Sequence, residues 1–262
     1  LETAILSVLH QGYPDLEYMV YDGGSDDGSL EILSRYGDRL SFWESKPDRG
    51  QSHAVNKGWE RASGKYVWWL NADDLLVPGA LQSAVDYMEA HPEADLIYGD
   101  VLRIDESGQV MDLYEYKDFD LVRLVAAAGA IAQAGGLMRR TVIDRIGYLD
   151  EGLHFLMDTD YWLRLALSGG RIVHLSRPLA LFRIHAQGKT QSGSLLAVQE
   201  RYEVHRRLFD RPDLPSELRS RRARASGGMH LSCARTYLKG GAYPEALSEL
   251  WLAARSWPWL VL

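Results

Sequence analysis

The spacing of apolar and polar positions changes along this chain in a way that marks its elements. Leu1, Ile5, Val8 and Leu9 recur at helical intervals, and a short β-type run at 17–21 follows the turn at Tyr13-Pro14. A glycine-rich polar stretch at 22–29 leads into a helix that Ser29 can cap and Gly37 stops. A strand at 40–43, a Pro-Asp-Arg-Gly turn at 47–50 and a helix over about 52–62 come next. Ser63-Gly64 then opens the most aromatic apolar run of the chain, 66–70, which shows no alternation. A strand covered on both faces of a parallel sheet reads this way. Strand, helix, strand, helix, strand at these distances predicts βαβ units.

Further on, the pattern predicts a helix over 78–91, closed by Pro92, and strands at 94–98 and 101–105 with a turn at 106–108. It also predicts a strand at 134–139 and a short helix at 141–146. A strong helix opens at Met157-Asp158-Thr159-Asp160 and stops at Gly169-Gly170, and strands follow at 171–175 and 180–184. The small-residue run 125–132 fits either a helix or close packing beside a ligand. From Ser192 onward the pattern is helical, rich in arginine and without strands. Residues 237–247 are similar to the helix–turn–helix of a tetratricopeptide unit, and one copy does not make an array. The expectation is an α/β domain over 1–190 and a helical extension over 191–262.

Composition narrows the function classes. With 46% apolar residues in 262, the chain can bury a substantial core. A net charge of −7 argues against a nucleic-acid binder, which carries a basic face. Cys233, the single cysteine, excludes an intramolecular disulfide and a cysteine-based zinc cluster, and it fits a reducing, cytoplasmic compartment. No apolar run reaches membrane-spanning length. The terminal Trp257-Pro258-Trp259-Leu260-Val261-Leu262 could touch a bilayer or fold back on the protein, so peripheral association with the cytoplasmic face of a membrane stays open. The opening directly in a helical pattern, with no strand ahead of it, leads to the expectation that the true N-terminus and a first strand lie upstream.

The chemistry concentrates where the 66–70 run stops, on Asn71-Ala72-Asp73-Asp74. Strand ends in open α/β sheets face the crevice where ligands bind. Two adjacent carboxylates there suit a hard cation, Mn²⁺ or Mg²⁺, which in turn suits a diphosphate. The plain alternative is that the pair turns the chain and caps the next helix. Asp158 and Asp160 pose the same choice at the start of their helix. His185 and Lys189 follow the last strand as candidates for a metal or phosphate contact, or as ordinary structural and surface residues. Gln133 is as compatible with a donor pocket as with packing.

Taken together and in order, these segments resemble the family 2 glycosyltransferases of the GT-A fold over residues 1–190. The likeness rests on Ser7-Val8-Leu9-His10-Gln11-Gly12-Tyr13-Pro14, on Asp22-Gly23-Gly24-Ser25 with Asp27-Gly28, and on Pro47-Asp48-Arg49-Gly50-Gln51 with Ala54, Asn56, Lys57 and Gly58. Ser63-Gly64-Lys65, Asn71-Ala72-Asp73-Asp74, Gly147-Tyr148-Leu149-Asp150, the 158–164 segment and His185 to Thr190 continue it.

The resemblance implies a Rossmann-like, mainly parallel sheet flanked by helices. It implies sugar transfer, with inversion, from a UDP-, GDP- or dTDP-sugar to a hydroxyl of a glycan or lipid-linked acceptor, as in surface polysaccharide or glycolipid assembly. Asp74 and His185 would be metal ligands. Asp73 would contact the nucleotide ribose or the metal, Asp22 and Lys189 would bind the donor, and Asp158 would be the general base. On this expectation Asp74 and Asp158 face one cleft.

Two features depart from the family pattern. The first strand, whose loop contacts the nucleobase, is missing, and Gly23 stands where a second acidic residue often reads the base. A module that binds a nucleotide-sugar or acts as a scaffold without turnover is the alternative. A nucleotidyltransferase, which shares the sheet and metal logic, accounts less well for Asp158 and His185.

Overall fold

The computed structural model describes residues 1–127, 129–186, 188–189 and 194–258. Gln187 and Thr190 of the His185 motif, Ser192, and Trp259 to Leu262 of the apolar terminus therefore lie outside the described residues. The chain forms two compact units: residues 1–118, 131–152 and 168–184, and residues 119–130, 153–167 and 185–262.

In the first unit, α1 (Glu2–Leu9) buries Ala4, Ile5 and Val8, the face its periodicity predicts. β1 (Met19–Asp22), α2 (Ser29–Tyr36) and β2 (Phe42–Ser45) form a βαβ unit, with Met19 opposite Phe42 in a parallel two-stranded sheet. Ile5, Leu33 and Leu40 pack together as its core. α3 (Gln51–Arg61) follows, then β3 (Tyr66–Trp68), the two-residue β4 (Leu75–Leu76) and α4 (Ala80–Ala90).

A six-stranded sheet is completed by β5 (Leu96–Ile104), β6 (Val110–Tyr114), β7 (Gly136–Arg139) and β8 (Ile172–Arg183), in the order β3-β7-β5-β8-β4 with β6 paired to β5. α6 (Thr141–Ile146) follows β7. Ala84 and Met88 of α4 pack with Ala94, Ile97 and Leu137 to cover the sheet.

The α/β class is the one the sequence predicts. The six-stranded sheet, however, is mainly antiparallel rather than mainly parallel, with β5–β8 as its parallel pair among the described residues, and strand 66–70 is not at its centre. Among the described residues, β3 pairs antiparallel with β7 and with no other strand. An apolar run records burial, not direction or neighbour, so Tyr66 to Trp68 could be assigned to a parallel centre on pattern alone. β5 occupies that centre: Leu96, Ile97 and Tyr98 are fully buried, and β5 joins β7 antiparallel to β8 parallel.

The pairs predicted as separate strands at 94–98 and 101–105, and at 171–175 and 180–184, are two long strands. Proline at 178 argues for a break because it cannot donate to a ladder. The strand continues instead through register shifts at Gly99/Asp100 and Asp100/Val101, where Asp100 lies opposite Pro178. Gly99 makes this approach feasible: a Cβ there would sit 2.5 Å from Leu179 Cγ and 2.7 Å from the Arg177 carbonyl oxygen.

The second unit is helical: α5 (Leu121–Ala126), α7 (Met157–Leu167), α8 (Leu195–Phe209), α9 (Ser216–Ser220), α10 (Arg222–Lys239) and α11 (Tyr243–Ser256). The helix in the ambiguous 125–132 run thus ends at Ala126, while Ile131 and Ala132 are buried without helical structure. Gly228 lies inside α10, where glycine costs about 1 kcal/mol relative to alanine. A Cβ there would meet the Ala126 Cβ at 2.5 Å, so the glycine lets α5 and α10 touch. Among the described residues, no helix is long and apolar enough to cross a membrane.

Candidate functional site

Asn71 to Asp74 form a tight turn between β3 and β4, closed by the Asp74 N–H donating to the Asn71 carbonyl at 3.2 Å. The turn is held by side chains from distant parts of the first unit. Asn71 Oδ1 accepts from Gln51 Nε2 at 2.6 Å and from Trp69 Nε1 at 3.0 Å. Asn71 Nδ2 donates to Gln133 Oε1 at 3.0 Å, and Gln133 Nε2 donates to the Trp69 carbonyl at 2.6 Å. Gln133 therefore holds the entry to the turn at two points, a role for which sequence offers no signal beyond proximity to a small-residue run.

Asp73 is exposed and Asp74 is 1% exposed. Asp74 Oδ1 accepts the Arg183 backbone N–H at 3.1 Å, and Oδ2 accepts a long bond from Asn71 Nδ2 at 3.3 Å. The Arg183 guanidinium donates to the carbonyls of Asp73, Asp105 and Glu106 at 3.1, 2.9 and 3.1 Å. Burial, with the charge of Asp73 next to it, pushes the Asp74 carboxyl up to about 7. The capping alternative does not hold. The N-cap of α4 is Gly79, without a side-chain bond, and β4 lies between it and the acidic pair.

Asp22 ends β1 and organises the next turn. Its Oδ2 accepts the N–H groups of Gly24 and Ser25 and the Ser45 hydroxyl at 3.0, 2.9 and 2.6 Å, and its Oδ1 accepts the Ser25 hydroxyl at 2.5 Å. Partial burial opposes ionisation, yet these donors hold the Asp22 carboxyl below the usual carboxylate range. A Cβ on Gly23 would lie 3.3 Å from the carboxyl group of Asp48, whose Oδ1 accepts the Gly50 N–H at 2.7 Å. An acidic group thus stands beside the glycine that lacks one. Asp48 belongs to a segment that carries the family resemblance, but its closeness to Gly23 is a contact that sequence pattern does not show.

In the second unit, Asp158 lies in the first turn of α7 and accepts the Thr159 N–H at 2.6 Å and the Thr159 hydroxyl at 3.2 Å. Asp158 as a whole is half-buried. Burial raises its pKa against the pull of these donors and of Arg201. Lys189 donates to the His154 carbonyl at 3.1 Å. Burial lowers its pKa, opposed by attraction to Glu200 and Asp158. Asp158 and Lys189 therefore feel each other's charge. Asp160 instead pairs with Arg164 at 2.8 Å, one turn along α7. His185 follows β8, and its carbonyl accepts the Gly188 N–H at 3.0 Å.

Among the described residues no three His, Cys, Asp or Glu side chains cluster as a ready metal cage. Two carboxylates on one turn nevertheless fit Mg²⁺ or Mn²⁺. Such ions are commonly held by one or two carboxylates, with waters and substrate phosphates completing the shell. The raised Asp74 carboxyl fits the same donor set, because a cation would relieve the repulsion between Asp73 and Asp74.

Comparison with known proteins bears on this arrangement. The model of the family described as "Glycosyl transferase family 2" matches residues 1–147. An uncharacterized glycosyltransferase of Rickettsia conorii is 28% identical over 174 residues, 63% of this chain and 29% of its own length. One of Methanocaldococcus jannaschii is 25% identical over 191 residues, 70% of this chain and 66% of its own. The chain therefore spans under a third of the first relative and about two thirds of the second.

Among solved structures, Staphylococcus aureus TarS 1–349 in complex with UDP-GlcNAc superposes with a TM-score of 0.66 at 17% identity, covering 97% of this chain and 86% of that one. The mannosyltransferase PcManGT of Pyrobaculum calidifontis, in complex with GDP-Man and Mn²⁺, gives 0.66 at 18%, covering 97% and 71%. At these identities the likeness is one of fold, and that fold is the α/β GT-A arrangement with C-terminal helices.

Proposed function

Because the chain belongs to glycosyl transferase family 2, we propose that it transfers a sugar, with inversion, from a UDP-, GDP- or dTDP-sugar to an acceptor hydroxyl. The observation that carries this reading is the buried Asp74 beside the exposed Asp73 on a turn braced by Gln51, Gln133 and Arg183. A carboxylate pair so disposed is costly in the isolated protein and gains from meeting a cation and a diphosphate.

Asp73 and Asp74 would hold the divalent cation, with His185 as a further ligand. A bound cation would supply positive charge that stabilises the departing diphosphate. Asp158 takes the proton of the acceptor hydroxyl as its oxygen bonds to the anomeric carbon. The bond from that carbon to the diphosphate breaks, and the nucleoside diphosphate leaves with the electron pair. Burial raises the affinity of Asp158 for that proton, as a general base requires. Lys189 would contribute positive charge to the donor, and Asp22 would orient the loop that receives the nucleotide.

The neighbours that bind UDP-GlcNAc and GDP-Man support a nucleotide-sugar as donor. A glycan or lipid-linked acceptor, a cytoplasmic setting at the membrane face, and a division into a transferase domain at 1–190 and an extension at 191–262 complete the proposal. Asp73, Asp74 and Asp158 weigh against the non-catalytic alternative, because a binding module has little need of a base. Nucleotide release from a panel of UDP-, GDP- and dTDP-sugars with Mn²⁺ tests the reading. Turnover of one donor is expected, and binding without release across the panel would favour the alternative.

A further inference from the structure

Glu200 of α8 is 5% exposed, and neither periodicity nor motif marks it. Its carboxylate accepts three successive backbone N–H groups: His154 at 2.7 Å, Phe155 at 2.7 Å and Leu156 at 3.0 Å. Those peptides lead straight into α7, where the Leu156 carbonyl accepts the Asp160 N–H at 2.8 Å and Asp158 occupies the first turn. Lys189 grips the same loop from its acceptor side, at the His154 carbonyl.

Hydrogen bonds from N–H groups to a carboxylate are roughly twice as strong as neutral ones, and a negative charge before a helix N-terminus also suits the helix dipole. A buried carboxylate that gathers three consecutive amides fixes their planes, and with them the direction in which α7 starts. A neutral side chain of the same size would leave at least one of these amides without an acceptor.

We infer that Glu200 is a positioning residue for Asp158, holding the 154–156 backbone so that the base is presented at a fixed angle. This rests on the proposed function, in which Asp158 takes the acceptor proton.

The test uses the full chain, with Glu200→Gln and Glu200→Asp as variants. Glu203→Gln is the control, a residue on the same helix that pairs with Arg206 and Arg207. Hydrogen exchange at 154–160 should quicken in Glu200→Gln and less in Glu200→Asp, with Glu203→Gln unchanged. With the sugar-nucleotide turned over from the panel, kcat should fall by about 10- to 100-fold, since displacement by an ångström costs on that order. KM for the donor should change less than kcat, because Lys189 is the donor residue tied to this loop, while Asp22, Asp73 and Asp74 lie on turns of the first unit. Glu200→Asp, which keeps the charge on a shorter arm, should recover part of the loss.

Wild-type exchange at 154–160 in Glu200→Gln would overturn the inference. So would faster exchange with an unchanged kcat, which would make Glu200 a fastener of α7 alone. Should Glu200→Gln fail to fold, equal kcat in Glu200→Asp and wild type with faster exchange at 154–160 would overturn it as well. Wild-type turnover by Asp158→Asn would instead remove the underlying reading, so the two failures are distinguishable.

Discussion

Asp74 Oδ1 accepts the backbone N–H of Arg183 at 3.1 Å, joining the end of the acidic turn to the end of β8 across 109 residues of chain. The carboxyl is therefore both a structural acceptor and a buried charge, and substitutions can separate the two. Asparagine keeps an acceptor for Arg183 and removes the charge, whereas alanine leaves the N–H unmatched. In chelator at about pH 8, Asp74→Ala should be less stable than Asp74→Asn by roughly 1–3 kcal/mol, the cost of an unsatisfied buried donor. Asp74→Asn should be at least as stable as the unaltered chain. Urea denaturation checks this, and equal stabilities for the two variants would refute the dual role.

Gln133 secures the entry to the same turn, bonding the Trp69 carbonyl at 2.6 Å and the Asn71 amide at 3.0 Å. Gln133→Leu preserves volume and removes both bonds. A loss of about 1–3 kcal/mol is expected, with the turn's amides exchanging faster. A variant as stable as the parent would mean that packing alone holds the turn.

His205 predicts a pH dependence of stability in the helical unit. Burial, with His230 and Arg222 nearby, pushes its pKa down from 6.5 to about 4. Below 6.5 the unfolded chain takes up a proton that the folded chain refuses, so stability falls as pH drops from 6.5 to about 4 and levels off beneath. The contribution is moderated because the residue is only partly buried. His205→Gln, which can still reach Ser226, should flatten the slope between those limits. An unaltered slope would contradict the assignment.

On the proposed function, Asp158 sets the acid side of activity. A general base works only when deprotonated, and burial raises the pKa of this one. Turnover should therefore decline on acidification at a higher pH than an ordinary aspartate would impose. A kcat profile showing the acid limb of an unperturbed carboxylate would count against Asp158 as the base.

Much of this was legible beforehand. The helical faces of α1 and α4 and the β1–α2–β2 unit follow from periodicity, and the acidic turn from its place after an aromatic run. Strand partnership did not follow. The unalternating run at Tyr66 to Trp68 reads as a parallel central strand, yet burial specifies neither direction nor neighbour, and the strand pairs antiparallel with β7. The break predicted around Pro178 failed because a register shift opposite Asp100, with Gly99 giving way, carries the strand past a residue that cannot donate. Side chains that act over long separations were the least visible. Gln51 and Gln133 reach Asn71 from 20 and 62 residues away, and Glu200 reaches Phe155 from 45. Asp48 takes its meaning from the absence of a side chain on Gly23.

The central claim is that Asp74 and Asp158 serve one transfer reaction, and the most direct measurement is sugar transfer by two single variants. Asp74→Asn and Asp158→Asn should each lower kcat by roughly 100-fold or more, the scale of a lost general base or a lost electrostatic stabiliser, while far-UV circular dichroism stays that of the parent. Transfer at the parental rate by either folded variant would contradict it.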